Sequence, residues 1–142
     1  MAFQRILLPL AGTAIDPDLV RLAVSLAKPG RAEVLAVHVI EVRWNQPLDA
    51  VLDAETERGE ELLDLAAGVA AQLGMTIQTE LLQAREAAAA IVDTARERKA
   101  DLIVLGMPYR RRLGRTYVGR TVEGVYVAAQ CAVLAYRQEE VG

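Results

Sequence analysis

Apolar residues in this chain follow two alternating rhythms, short continuous runs and longer stretches spaced by three and four. Arg5–Ala11 (RILLPLA) is a short run that Gly12 and Thr13 close with a turn. Asp16-Pro17 then reads as a helix start, with Asp16 as cap and Pro17 at the first position. Leu19, Leu22, Ala23, Leu26 and Ala27 recur at helical spacing until Pro29-Gly30 stops them. Ala32–Val42 (AEVLAVHVIEV) is rich in Val and predicts a buried second strand. Leu48–Leu73 is acidic on one side and Ala/Leu-rich on the other, which predicts an amphipathic helix that Gly74 ends. Met75–Gln83 predicts a third strand, and Glu86–Lys99 a helix with Ala87, Ala88, Ile91, Val92 and Ala95 on one face. Arg96, Arg98 and Lys99 fall in its last turn, where cations suit the dipole. Asp101–Met107 predicts a fourth strand, Gly119–Cys131 a final helix carrying Val122, Val125, Tyr126 and Ala129, and Ala132–Arg137 a fifth strand.

Five strands alternating with four helices imply right-handed crossovers and a parallel sheet. The near-continuous apolar character of the first, second and fourth strands fits burial on both faces. The expected class is therefore α/β, a doubly wound five-stranded parallel sheet over one domain spanning 1–142. Such a sheet binds ligands beyond the carboxyl ends of its strands, where strand order reverses. Attention falls on the turn after the first strand, Ala11–Ile15, and on the segment after the fourth, Gly106–Thr121.

Composition narrows the function classes. The chain has 142 residues, 53% of them apolar and 25% charged, which supplies a core and an ordinary charged surface. Its net charge of −3 argues against general affinity for nucleic acid or anionic membrane. One cysteine, Cys131, allows no internal disulfide and fits a cytoplasmic setting. The opening MAFQRILLPLAG reads as no signal peptide, and no apolar stretch is long enough to span a bilayer.

Against that acidic background Arg110, Arg111, Arg112, Arg115 and Arg120 crowd into 108–121 without an acid among them. They lie next to the start of the last helix, where free N–H groups and the dipole attract anions. Arginine adds charge-assisted, often bidentate bonds to phosphate or carboxylate. The same composition fits a solvated loop, and the sequence does not choose between the two. His38, the sole histidine, has no partners at metal spacing and reads as a structural strand residue away from the mouth. Cys131 reads as a buried or half-buried thiol without a base beside it. Asp49, Asp53, Glu55, Glu57, Glu60, Glu61 and Asp64 read as the solvated face of the second helix, with Arg58 among them. Trp44 reads as a packing residue at the core's edge. Without a Ser-His-Asp set, a Walker lysine or a zinc constellation, the expectation is no enzyme and no metal, with slow nucleotide hydrolysis left open.

RILLPLAGT, the second strand's VHVI, the exit DLIVLGM, Gly119 opening a helix and the closing CAVLAYR together resemble the universal stress protein family along essentially the whole chain. The resemblance implies an adenine-nucleotide alpha-hydrolase-like fold with strand order 3-2-1-4-5. Nucleotide-binding members of that family carry Gly, two residues, Gly, nine residues, Gly, then Ser or Thr. Here Gly106 and Gly119 match, but Tyr109 stands at the second glycine and Arg120 at the hydroxyl, with Thr121 next. Such members also carry an Asp at the end of the first strand, and here Ala11 stands there. A bulky Tyr109 impairs close approach of backbone N–H to phosphate, and Ala11 accepts no hydrogen bond from a ribose or base.

The resemblance therefore implies a homodimeric regulatory binding protein with lost or altered ATP recognition, pairing through Ala132–Arg137. Two other readings stay open. One is a sensor of an adenine nucleotide (AMP, ATP or a cyclic dinucleotide). Its site would draw Pro9, Ala11, Gly12 and Thr13 from the first turn, Val39 from the second strand, and Leu105, Gly106, Tyr109, Gly119, Arg120 and Thr121 from the late segment. The other is an accessory domain acting on a transporter or another protein. No cofactor is certain, and an adenine nucleotide is the candidate.

Overall fold

In the computed structural model, which describes residues 1–107, 111–112, 115–116 and 118–137, the apolar runs become one parallel sheet. Its strands are β1 (Arg5–Pro9), β2 (Glu33–Glu41), β3 (Gln78–Ala84), β4 (Leu102–Met107) and β7 (Ala132–Arg137). Between the last two lies a two-stranded hairpin, β5 (Arg111–Arg112) against β6 (Arg115–Thr116). The helices are α1 (Asp16–Ala27), α2 (Asp53–Gln72), α3 (Ala87–Glu97) and α4 (Arg120–Ala128). The sheet order is β3-β2-β1-β4-β7, which is the expected order once the hairpin is set aside.

Period-two alternation divides the core between the two faces of the sheet. Ile6 and Leu8 of β1, Val34 and Ala36 of β2, and Leu102 and Val104 of β4 pack against α1 and α2 through Leu19, Ala23, Leu63 and Ala66. Leu7, Leu35, Val37, Ile103 and Leu105 point the other way and meet Ile91, Val92 and Ala95 of α3 and Val122 and Val125 of α4. Eight of those residues, from Ile6 to Val125, are among the largest side chains sealed from solvent. Burying each such Leu, Ile or Val contributes about 1.5–3 kcal/mol. Asp101 ties the sheet's amino edge together, accepting the N–H groups of Gln4 and Arg5 at 2.9 Å each.

Several local readings change. The second helix begins at Asp53 rather than Leu48, because the Gln83 amide donates to the carbonyls of Leu48 (2.8 Å) and Ala50 (3.1 Å) and holds them out of a helical ladder. Asp16 is not the cap of α1: Ile15 occupies that position and Asp16 is the first helical residue. Tyr126, read as part of the inward stripe of α4, is exposed. Trp44 is 79% exposed rather than packed, with the Arg85 guanidinium 5.1 Å from its ring centroid. Arg85 also donates to the carbonyl of Arg43, so it pins the connection that follows β2. Among the described residues, no helix is long and apolar enough to cross a membrane.

Candidate functional site

Strand order reverses between β1 and β4, and there the ladder is short. β1 pairs with β2 over its whole length, Arg5 to Pro9, but with β4 only at Ile6 and Leu7. The cause is local chemistry. Successive N–H groups of a strand face opposite neighbours, and the Leu10 N–H goes to Val37 of β2 at 2.8 Å. Pro9, one residue earlier, therefore faces β4, and proline has no N–H to give. β1 and β4 part beyond Leu7, and their carboxyl ends frame a cleft of about 410 Å³.

One lip of the cleft comes from the β1 exit, with Pro9, Ala11 and Thr13, and from α1 with Asp16 and Leu19. The other comes from Leu105 and Gly106 of β4 and from Gly119, Arg120 and Thr121 where α4 starts. His38, Val39 and Glu41 of β2 and Ala87 and Ile91 of α3 complete it. The two glycines have different surroundings. A Cβ on Gly106 would lie 2.6 Å from Cδ1 of Leu19 and 2.8 Å from Cδ1 of Ile15, so α1 packs onto the bare backbone. Among the described residues a Cβ on Gly119 would meet nothing within 4 Å, and its φ of −67° suits any residue.

The polar groups are arranged by backbone partners. Asp16 Oδ2 accepts the Gly12 N–H at 3.1 Å, and Oδ1 accepts the Thr13 N–H at 3.4 Å. Its carboxylate thus holds the turn that Gly12 makes at φ +81°, a left-handed position that glycine adopts without strain. Burial pushes the Asp16 carboxyl above its ordinary range, against the pull of the Thr13 and Gly12 hydrogen bonds and of nearby His38. The His38 Nδ1 lies 2.7 Å from the Leu10 carbonyl oxygen. A carbonyl only accepts, so Nδ1 carries the proton and a neutral ring keeps its lone pair on Nε2. On its other side the ring abuts α2 at Gly59, where a Cβ would come within 3.1 Å of Cδ2. Glu41 Oε2 accepts the Ala87 N–H at 3.0 Å, and its Oε1 lies 3.6 Å from Nη2 of Arg120.

Of the residues expected at the site, nine line the cleft: Pro9, Ala11, Thr13, Val39, Leu105, Gly106, Gly119, Arg120 and Thr121. Gly12 shapes the turn without lining the cleft. Tyr109 and Arg110 lie outside the described residues, while Arg111, Arg112 and Arg115 belong to the hairpin. The expectation that His38 stands away from the mouth is corrected, since it lines the cleft. Asp16 and Glu41 also line it and had been passed over. Their signal was weak: Asp16 looked like an ordinary cap, and Glu41 closes a strand with a partner 46 residues away.

Cys131 is half-buried, as expected, and burial pushes its thiol up, which leaves little thiolate. Among the described residues, no group of three or more His, Cys, Asp or Glu could hold a metal ion. The acids of α2 face solvent apart from half-buried Glu55. Among the described residues the cleft therefore offers an apolar floor, donors and acceptors at its rim, one guanidinium and two carboxylates, an inventory for recognising a small polar molecule.

A model of the universal stress protein family matches residues 2–137. A universal stress protein of Methanocaldococcus jannaschii is 31% identical, over 96% of this chain and 83% of its own length. Among solved structures, a universal stress protein from Archaeoglobus fulgidus superposes with a TM-score of 0.80 at 22% identity, covering 93% of this chain and 97% of that one. A universal stress protein from the same organism in complex with dAMP gives a TM-score of 0.74 at 22% identity, covering 95% and 98%. This chain belongs to the universal stress protein family.

Proposed function

We propose that this universal stress protein is a regulatory binding protein that takes an adenine nucleotide in the β1/β4 cleft and reads it differently from ATP-binding members. The observation that carries the reading is Gly119. Neither its backbone angle nor any described neighbour within 4 Å requires glycine there, yet it lines the cleft beside Arg120. A bare backbone facing open space at a helix start suits the close approach of an anionic group. The dAMP bound by the Archaeoglobus relative supports the ligand class. Ala11 brings no hydrogen-bonding side chain to the base or ribose, so Nε2 of His38 and the Thr13 hydroxyl take on that contact. Isothermal titration with adenosine, AMP, cyclic AMP and ATP tests the reading. Saturable binding that Arg120→Ala abolishes is the expected result, and flat heats for all four ligands remove it.

The regulatory form is a homodimer joined through β7. Among the described residues that strand is an edge, paired only with β4, and its residues from Val133 to Tyr136 are only partly covered. Beside it α4 exposes Tyr126 (53%) and Val127 (82%). A second copy would pair the open backbone groups of the edge and cover these apolar side chains. Sedimentation at micromolar concentration is expected to show a dimer, and a monomer there overturns this part.

A further inference from the structure

Glu41 closes β2 with its carboxylate in the cleft, and it already holds two groups that a bound anion would seek. Oε2 accepts the N–H of Ala87, the first residue of α3, at 3.0 Å. Oε1 faces Arg120, the first residue of α4, at 3.6 Å from Nη2. The carboxylate therefore bridges the starts of two helices and occupies the guanidinium that a phosphate would use. Asp16 puts a second carboxylate in the same cleft, so among the described side chains lining it two acids face one arginine.

A phosphate entering this cleft meets Glu41 as a competitor. The pair with Arg120 is easy to break, being long at 3.6 Å with the arginine side chain 86% exposed. The negative field of Glu41 is not removed with it, because the Ala87 N–H anchors Oε2 independently of Arg120. One phosphate group can exchange with Glu41 at Arg120. Each phosphate beyond the first adds repulsion from a fixed carboxylate and finds no second described arginine lining the cleft. A nucleoside with no phosphate is indifferent to that field.

We infer that Glu41 is the charge selector of the cleft, setting it to prefer a nucleoside monophosphate over a triphosphate, an inference that rests on the nucleotide reading above. The test is isothermal titration of the full chain and of Glu41→Gln with adenosine, AMP and ATP. Glutamine keeps an oxygen for the Ala87 N–H while removing the negative charge and, with it, the acceptor facing Arg120. Wild-type protein is expected to bind AMP more tightly than ATP. Glu41→Gln is expected to raise the ratio of ATP to adenosine affinity by about tenfold, and the ratio of AMP to adenosine by less. Tighter wild-type binding of ATP than of AMP, or ratios that Glu41→Gln leaves unchanged, overturns the inference while the nucleotide reading stands. Absence of binding by all three ligands to either protein overturns both.

Discussion

Gly106 and Gly119 stand on the same lip of one cleft, and they are glycine for unrelated reasons. At Gly106 the space a side chain would fill is taken by Ile15, the residue that precedes α1, and by Leu19 of α1, both almost fully buried. At Gly119 no described residue enters that space. The first glycine belongs to the packing of a helix on a sheet, whereas no contact among the described residues calls for the second, which the proposed function gives to the ligand. A glycine spacing in a sequence can thus combine a demand of the fold with a demand of function, and only the surroundings separate the two.

The largest expected effect is at the packed position. Gly106→Ala forces Leu19 and Ile15 out of their places and is expected to lower stability by about 1–3 kcal/mol, read by urea unfolding. An unchanged midpoint would mean that α1 yields easily, and the contrast would weaken. At the open position the sign of the experiment reverses. Gly119→Ala is expected to cost less than about 1 kcal/mol of stability. It should nonetheless weaken nucleotide binding about tenfold, because the methyl group would stand where the proposed ligand approaches. Full affinity in that variant would show that nothing approaches Gly119.

A smaller effect sharpens the α1 side of the comparison through pH. Burial raises the folded-state pKa of Asp16 above its unfolded value, so the folded chain holds this proton more tightly. Stability of wild type relative to Asp16→Asn is therefore expected to fall as pH rises from the ordinary carboxylate value through the raised one. Melting temperatures of the two proteins across that acidic range check it. A difference that grows with pH would mean that the Gly12 and Thr13 hydrogen bonds outweigh burial.

Much of this arrangement was legible in the residues themselves. Continuous runs such as DLIVLGM announced strands covered on both faces, and Leu19, Ala23 and Ala27 announced the buried stripe of α1. Strand order came from the family resemblance rather than from the pattern, because pairing of non-sequential strands leaves no local trace. The same reason hid the start of α2, which Gln83 decides from 35 residues away, and the place of Glu41. The β5–β6 hairpin went unread because Arg111, Arg112 and Arg115 carry no alternation of apolar and polar residues. His38 was misplaced for a subtler cause. Its strand was recognised, but whether a strand residue lies under a helix or at an opening depends on where the neighbouring strands end.

Pro9 determines where one of them ends, and this has a bearing on how such a molecule diverges. The gap between β1 and β4 opens where strand order reverses, and Pro9, which has no N–H to give, leaves no bond there to close it. The side chains around it are then free to be exchanged, as at residues 11 and 120, without the hollow collapsing. Ligand preference can drift by single substitutions over a vessel whose shape is guaranteed elsewhere, and a descendant that kept the proline would inherit a vacancy ready for another guest.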